Sequence, residues 1–295
     1  MRNRHQRWVA PWIVLVALIE PASASLRTGG GNSPRAIGSS RSTETIAGAQ
    51  AETWSVTRIG TTTKVRWASG PTSWSRRITA PFGLPVVTSR GMRAGPTLDG
   101  SAIALAAAPR RVGTAWSSSF AVVTKARTQT ISLVGEWAFD AISPNGSVLF
   151  LTESVGPGRY WVRAVDVTTG QAGEPLVTKT IGFDPSTTAV DDGPMEGLPL
   201  DRVASFDGRT VYTLYDGPSH PFIHALNIAG GWALCYDLPH ALRTRASALL
   251  LRPRHAQGTI DVIEGAAVLA QITLPGSRWG PTIRVAGTSR PPVVN

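Results

Sequence analysis

An all-β fold, a β-propeller of about six four-stranded blades, is what the sequence predicts, and three observations predict it. The first is a recurring unit. Thr97-Leu98-Asp99-Gly100-Ser101-Ala102-Ile103, Ser143-Pro144-Asn145-Gly146-Ser147-Val148-Leu149 and Ser205-Phe206-Asp207-Gly208-Arg209-Thr210-Val211 each lead a strand through Asp-Gly or Asn-Gly into an alternating apolar strand. The second is that a further pair of strand-like runs succeeds each unit, with Gly100, Gly146 and Gly208 spaced 46 and 62 residues apart. The third is composition. Thirty glycines and 22 prolines in 295 residues turn the chain often, 42% hydrophobic residues supply a sizeable core, and 16% charged residues leave little material for long solvated helices. A two-sheet sandwich also shows short strands, but it has no reason to reuse one hairpin sequence. Blades of roughly 40 to 50 residues fit five or six times into residues 52–288, or seven times if edges are short, and six is the favoured count.

Taken from the N-terminus, residues 1–24 read as a secretory signal peptide. Arg2, Arg4 and Arg7 precede the apolar run Trp8 to Ile19 and the small-residue site Ala22-Ser23-Ala24, with cleavage expected after Ala24. About 12 apolar residues fall short of the roughly 20 that span a bilayer, so no stable membrane span is expected after cleavage. Uncleaved, the segment would be an N-terminal membrane anchor. Residues 25–51, with Gly29 to Gly31 and many Ser and Thr, predict a flexible linker. From Glu52 onward Trp54, Val56, Ile59, Val65 and Trp67 alternate with polar residues, so residues 52–93 supply at least one blade.

The second strand pairs are Phe120–Val123 with Thr130–Leu133, Tyr160–Val167 with Leu176-Val177 after a Thr168-Thr169-Gly170 turn, and Phe222–Ile228 with Ala233–Tyr236 after Gly230-Gly231. A degenerate last unit runs through Ser247–Leu251, Thr259–Ile263 and Ala267–Leu274, with Gln257-Gly258 and Glu264-Gly265 as turns. Residues 289–295 are expected to be a loose tail. Cys235 is the only cysteine, so the fold must rest on its core rather than on a disulfide. It reads as a small buried strand residue.

The formal charge is +10, and of the 29 basic residues only Lys64, Lys125 and Lys179 are lysine. The arginines are scattered, so a nucleic-acid partner is not expected. A weak, salt-sensitive attraction to anionic envelope polymers is.

Ile142-Ser143-Pro144-Asn145-Gly146-Ser147-Val148-Leu149-Phe150 resembles the "SPDG-x-x-LY" hairpin of the YVTN, YncE and lactonase-like bacterial β-propeller repeat proteins. Ala164 to Gly170 is similar to their "V-x-D-x-x-T-G" strand and turn. Residues 97–240 also resemble a set of exported bacterial proteins of unknown function that share "FDALSPDG", "RVRAYD", "YTLY" and "FVHALD…C-x-DLP" stretches, here Phe139–Gly146, Trp161–Asp166, Tyr212–Tyr215 and Phe222–Pro239. Asn145 and Asn227 stand where the pattern has Asp. The resemblance implies propeller architecture and export and is nearly silent about chemistry.

Candidate functional residues come from the loops and strand ends. His220, His224, Cys235 and His240 invite a zinc site, but no two have the spacing of a CxxC or HExxH pair, and no metal is predicted. Asp184, Asp191, Asp192, Glu196 and Asp201 form the one acidic concentration, in an insertion over residues 182–200. Asp140, Asp166 and Asp237 lie at strand ends, where carboxylates hydrogen-bond to turn amides. No GxSxG and no phosphate-cradling glycine loop is present, and no cofactor is predicted. The expectation is an exported, non-catalytic propeller whose loop face binds a protein or glycan partner. Asp140, Asp166, Asp184, Asp191, Asp192, His220 and His224 are the candidate binding residues. The alternative is a hydrolase or lactonase-like enzyme at the channel mouth, which convergence of three or more of these residues would favour.

Overall fold

The computed structural model describes residues 41–176, 178–181, 189–191, 193–254, 257–273 and 282–285. Five sheets succeed one another along the chain. The first is a meander of β1 (Arg41–Ala47), β2 (Thr53–Ile59), β3 (Thr62–Ser69) and β4 (Thr72–Ile78). The second holds β5 (Ala102–Ala106), β6 (Arg110–Val112), β7 (Ala115–Thr124) and β8 (Thr128–Val134), where β5 and β6 share one side of β7 and β8 takes the other. The third is β9 (Trp137–Ile142), β10 (Val148–Gly156), β11 (Arg159–Asp166) and β12 (Ala172–Pro175).

The chain then makes an excursion. β13 (Thr178–Ile181) runs parallel to the later outer strand of the fourth sheet, β14 (Ala189–Asp191) pairs with β13, and β15 (Met195–Glu196) returns to pair with β11. The fourth meander comes next as β16 (Leu198–Ala204), β17 (Thr210–Asp216), β18 (Phe222–Asn227) and β19 (Trp232–Asp237). A 3-10 helix, His240–Ala248, buries Leu242 and Ala246 and leads to the fifth sheet. That sheet comprises β20 (Leu250–Arg254), β21 (Thr259–Glu264), β22 (Ala267–Thr273) and β23 (Thr282–Val285).

Successive sheets stack face to face, and the period-2 alternation of each strand explains how. On β5, Ile103 and Leu105 pack with Trp54, Val56 and Val65 of the first sheet, while Ala102 and Ala104 pack with Phe139 and Leu149 of the third. On β10, Leu149 and Leu151 face the second sheet and Phe150 faces Leu226 and Ala233 of the fourth. On β17, Tyr212 and Leu214 face Leu251, Val262 and Ile272 of the fifth. Burial on both faces is why the middle strands read as nearly continuous apolar runs. This is the all-β propeller the repeats predict.

Five sheets are described against a favoured count of six, within the expected range. Residues 79–101 form no strand and carry only the isolated bridges Gly83↔Ala106, Val86↔Arg93 and Pro96↔Ile103. This segment crosses the molecule instead. Leu84 N donates to Glu44 of the first blade at 2.9 Å, Ser89 N to the Pro199 carbonyl at 2.7 Å, and Arg90 Nη1 to the Leu249 carbonyl at 3.0 Å.

The expected linker is corrected at its C-terminal part: Arg41–Ala47 is a strand paired along its whole length with β2. Its side chains are mostly exposed and rich in Thr, Ser and Glu, so it satisfies its backbone on one edge without showing an apolar face. The expected signal peptide over residues 1–24, the expected linker over residues 25–40 and the expected tail over residues 289–295 lie outside the described residues. Among the described residues no helix is long and apolar enough to cross a membrane.

Candidate functional site

Antiparallel meanders place the turns between first and second strands at one end of the propeller, with those between third and fourth and with the turn at residues 97–101 that leads from the Pro96↔Ile103 bridge into β5; this is the turn end. The turns between second and third strands and the inter-blade connections form the loop end.

At the turn end three blades repeat one hydrogen-bond scheme. The hydroxyls of Thr97, Ser143 and Ser205 accept from the amides of Ala102, Val148 and Thr210 at 3.0, 2.9 and 3.0 Å. The same hydroxyls donate to Oδ1 of Asp99, Asn145 and Asp207 at 2.7, 3.0 and 2.6 Å. Each Oδ1 also accepts the amide two residues on, and Gly100, Gly146 and Gly208 donate back to residues 97, 143 and 205.

A two-residue hairpin turn at these dipeptides would need positive φ at both positions. Only the glycines have it, at +67°, +74° and +66°. The turn is a four-residue turn closed by a left-handed glycine, so Asp or Asn is selected for its side-chain acceptor and not for its φ. Asn145 serves as well as Asp because only Oδ1 is used. Burial opposes ionisation of Asp99, but hydrogen bonds from Ser101 and Thr97 outweigh it and hold the carboxyl below its ordinary range. The Ser205 hydroxyl does the same for Asp207, and the Thr169 amide for Asp166.

These turns meet. Asp99 N donates to the Pro144 carbonyl at 3.4 Å, Gln50 Nε2 to the Leu98 carbonyl at 3.3 Å, and the Leu98 side chain lies over Gly208. Between them opens a concavity of about 550 Å³ bounded by residues 47–50, 94–98 and 204–208, with Val211 and Ile228. Phe206 stands on its rim, 80% exposed.

The loop end is built from unlike parts. The loop between β17 and β18 carries Ser219 and His220, and the β18–β19 register sets Phe222 opposite Asp237, bringing Asp237 to the same end. His220 Nε2 lies 3.1 Å from Asp237 Oδ1, and His220 Nδ1 lies 2.8 Å from Ser219 Oγ. A carboxylate only accepts, so with the ring uncharged Nε2 carries the proton and Nδ1 accepts the Ser219 O–H. His240, from the 3-10 helix, donates from Nδ1 to the Ser219 carbonyl at 3.2 Å and presents its ring edge-on to His220 at 5.0 Å. A crevice of about 260 Å³ opens beside this chain of groups, walled by Pro194, Met195, Gly217, Phe222 and Cys235 with Glu196 among its lining.

Inward from Phe222 the packing turns polar and closed. Phe222 stacks on Tyr215 with centroids 5.0 Å apart, and Tyr215 approaches His224 and Tyr160 at 6.4 and 6.0 Å. Asp140 of the third blade pairs with Arg202 of the fourth at 2.8 Å, both side chains under one-tenth exposed. His224 is fully enclosed and its Nε2 has no hydrogen-bond partner among the described residues. Burial pushes its pKa down from 6.5 to about 4, with Asp140 pulling up and Arg202 down. Burial likewise pushes the hydroxyls of Tyr160 and Tyr215 well above their ordinary value.

Of the seven predicted residues, Asp140 and His224 come together in this buried cluster. His220 stands outside it in the crevice. Asp166 lies at the turn end, where its Oδ1 accepts Thr168 N, Thr169 N and Thr169 Oγ1. Asp191 ends β14, and Asp184 and Asp192 lie outside the described residues. Cys235 is a buried residue of β19, as expected. Among the described residues no group of three or more His, Cys, Asp or Glu is arranged to hold a metal ion. Sequence reasoning misses Ser219 and reads Asp237 as a turn carboxylate. The signal the sequence does hold is the Ser219-His220 dipeptide in a second-to-third-strand loop, directly preceding the strand whose hairpin partner ends at Asp237.

No family model matches the chain. No curated protein matches it in sequence. Among solved structures it is similar to TolB from Acinetobacter baumannii, with 12% identity and a TM-score of 0.40 over 84% of this chain and 52% of that one. It is also similar to a prolyl endopeptidase, with 11% identity and a TM-score of 0.43 over 84% of this chain and 37% of that one. A third is the Cps50 (Swd1) β-propeller domain of Myceliophteria thermophila, with 8% identity and a TM-score of 0.23 over 76% and 96%. The chain thus spans about half the length of the first and less of the second. The assignment as a β-propeller protein rests on its own sheet order and face-to-face stacking.

Proposed function

We propose that the protein is exported and recognises a partner, a protein or a glycan, at the turn end of the propeller. The observation that carries this reading is Phe206. Its counterparts in the repeat, Leu98 and Pro144, are half-buried, whereas Phe206 is 80% exposed on the rim of the 550 Å³ concavity. Exposed aromatics beside apolar depressions are the usual anchors of recognition surfaces, because they bury large area at small entropic cost. Val211 and Ile228 extend the apolar lining, and Asp207 supplies a carboxylate at the rim. Several blades contribute to this surface, so recognition is by shape across turns.

The test is capture from the protein's own envelope fraction at low and high salt, with wild type and Phe206→Ala compared. The net charge of +10 gives a background that high salt removes. Species retained by wild type at high salt and lost with Phe206→Ala support the reading. Identical retention by both, or capture only at low salt, rejects it. Export is checked separately: the secreted form should begin at Ser25.

A further inference from the structure

We propose that Ser219 is an activated nucleophile and that the loop-end crevice is an acyl-transfer site for short acyl esters, with His220 as general base and Asp237 as its positioning residue. The partner surface lies at the opposite end, so the two proposals stand independently.

The geometry supplies a nucleophile beside its base, a carboxylate that orients that base, and room for a substrate. A hydroxyl is hydrogen-bonded to an imidazole nitrogen at 2.8 Å. The other nitrogen of that ring is held by a carboxylate at 3.1 Å, which fixes the tautomer that leaves Nδ1 free to take a proton. An open crevice with apolar walls, Pro194, Met195 and Phe222, adjoins the hydroxyl. The parts are also braced. Leu238 N donates to the Pro221 carbonyl at 2.9 Å, tying the strand end that bears Asp237 to the loop that bears Ser219. His240 holds the Ser219 carbonyl from the far side, and Phe222 is fixed by its stack on Tyr215. His220 and Asp237 remain 23% and 30% exposed at their side chains, so a solute can reach them.

In the reaction the Ser219 Oγ–H proton passes to His220 Nδ1 as Oγ bonds to the ester carbonyl carbon. Collapse of the tetrahedral species breaks the carbon–alkoxide bond, and the alcohol leaves with the proton from Nδ1. Water then attacks the acyl-serine, gives its proton to His220, and the carboxylic acid departs as Oγ recovers a proton. Ester and water become acid and alcohol, and nothing is oxidised or reduced. Throughout, His220 Nε2–H donates to Asp237, which stabilises the imidazolium formed at each transfer.

The experiment uses the full purified chain with an alkyl fluorophosphonate, which forms an Oγ–P bond and releases fluoride, and with p-nitrophenyl acetate as substrate. The expected result is one adduct, located on Ser219 by peptide mass spectrometry. It is absent in Ser219→Ala and formed about 100-fold more slowly or worse in His220→Gln. Asp237→Asn should lower kcat for the acetate with KM little changed, while the thermal midpoint stays at the wild-type value. Ser219→Ala removes one loop hydroxyl and serves as the folded control. A folded wild type that takes no adduct, an adduct that persists in Ser219→Ala, or a His220→Gln protein labelled at the wild-type rate overturns the proposal.

Discussion

At the turn end three blades satisfy their polar groups by the same local scheme, each within five residues, whereas at the loop end and between blades groups are also joined across elements, His220 to Asp237, His240 to the Ser219 carbonyl and Asp140 to Arg202. Ser143, Asn145 and Val148 close their own turn. Asp140 waits for Arg202, 62 residues further on and in another blade. Repetition supplies a frame that folds from local rules, and departure from repetition concentrates where chemistry is possible. The difference is also one of exposure: turn-end carboxylates are solvated and hydrogen-bonded, while Asp140, Arg202 and His224 are enclosed between blades.

The largest effect is expected at the enclosed pair. Arg202→Ala leaves Asp140 buried without its cation, and should cost about 3–5 kcal/mol of unfolding free energy. Urea titration reads it. A midpoint that does not move would mean that the pair is open to water, and the contrast between enclosed and turn-end groups would fail there.

Acid titration separates the ends more finely. The folded pKa of His224, about 4, lies below its ordinary 6.5, so the unfolded chain binds the extra proton first as pH falls. Stability contributed by the neutral ring is therefore complete above about pH 6.5 and is lost down to about pH 4, on the order of 3 kcal/mol. His224→Phe keeps an aromatic ring beside Tyr215 and should flatten that interval. The turn-end carboxylates Asp99, Asp166 and Asp207 are depressed below 3.8, so their contribution is present above that value and disappears only beneath it. The variant should leave this lower limb untouched. Loss of both limbs together would contradict the division.

The smallest effect belongs to a single turn. Gly146→Ala forces a side chain into left-handed backbone at φ +74° and brings its Cβ to 3.2 Å from Ala102 of the neighbouring blade. About 1–2 kcal/mol should be lost, without change in fold, as measured by thermal unfolding and circular dichroism. An unchanged midpoint would show that this turn tolerates rearrangement.

The turn end is legible in the sequence because its rule is local. Asp-Gly and Asn-Gly, preceded by Thr or Ser, carry the whole scheme within a few residues. The four units from residue 97 on can be read from those signals together with apolar alternation. β1 is not legible, since an exposed edge strand shows no apolar face and its Ser and Thr read as linker. Periodicity places Asp140 and His224 on strands, but that they share one enclosure with Arg202 depends on how the third blade packs on the fourth. Ser219, His220 and Asp237 are assembled by hairpin register, which the residue types on either side of a loop do not fix.

The excursion after β12 has a consequence for the molecule's behaviour in company. A meander exposes its last strand as a row of unpaired amides and carbonyls, which is an invitation to another chain. β13 occupies that row on β19, in parallel, and β14 covers β13 in turn. Among the described residues the outermost strand is then β14, three residues long, a short edge for a second molecule to pair with. By lending part of its own backbone, the chain pairs the outer edge of the blade that carries Ser219 and His220.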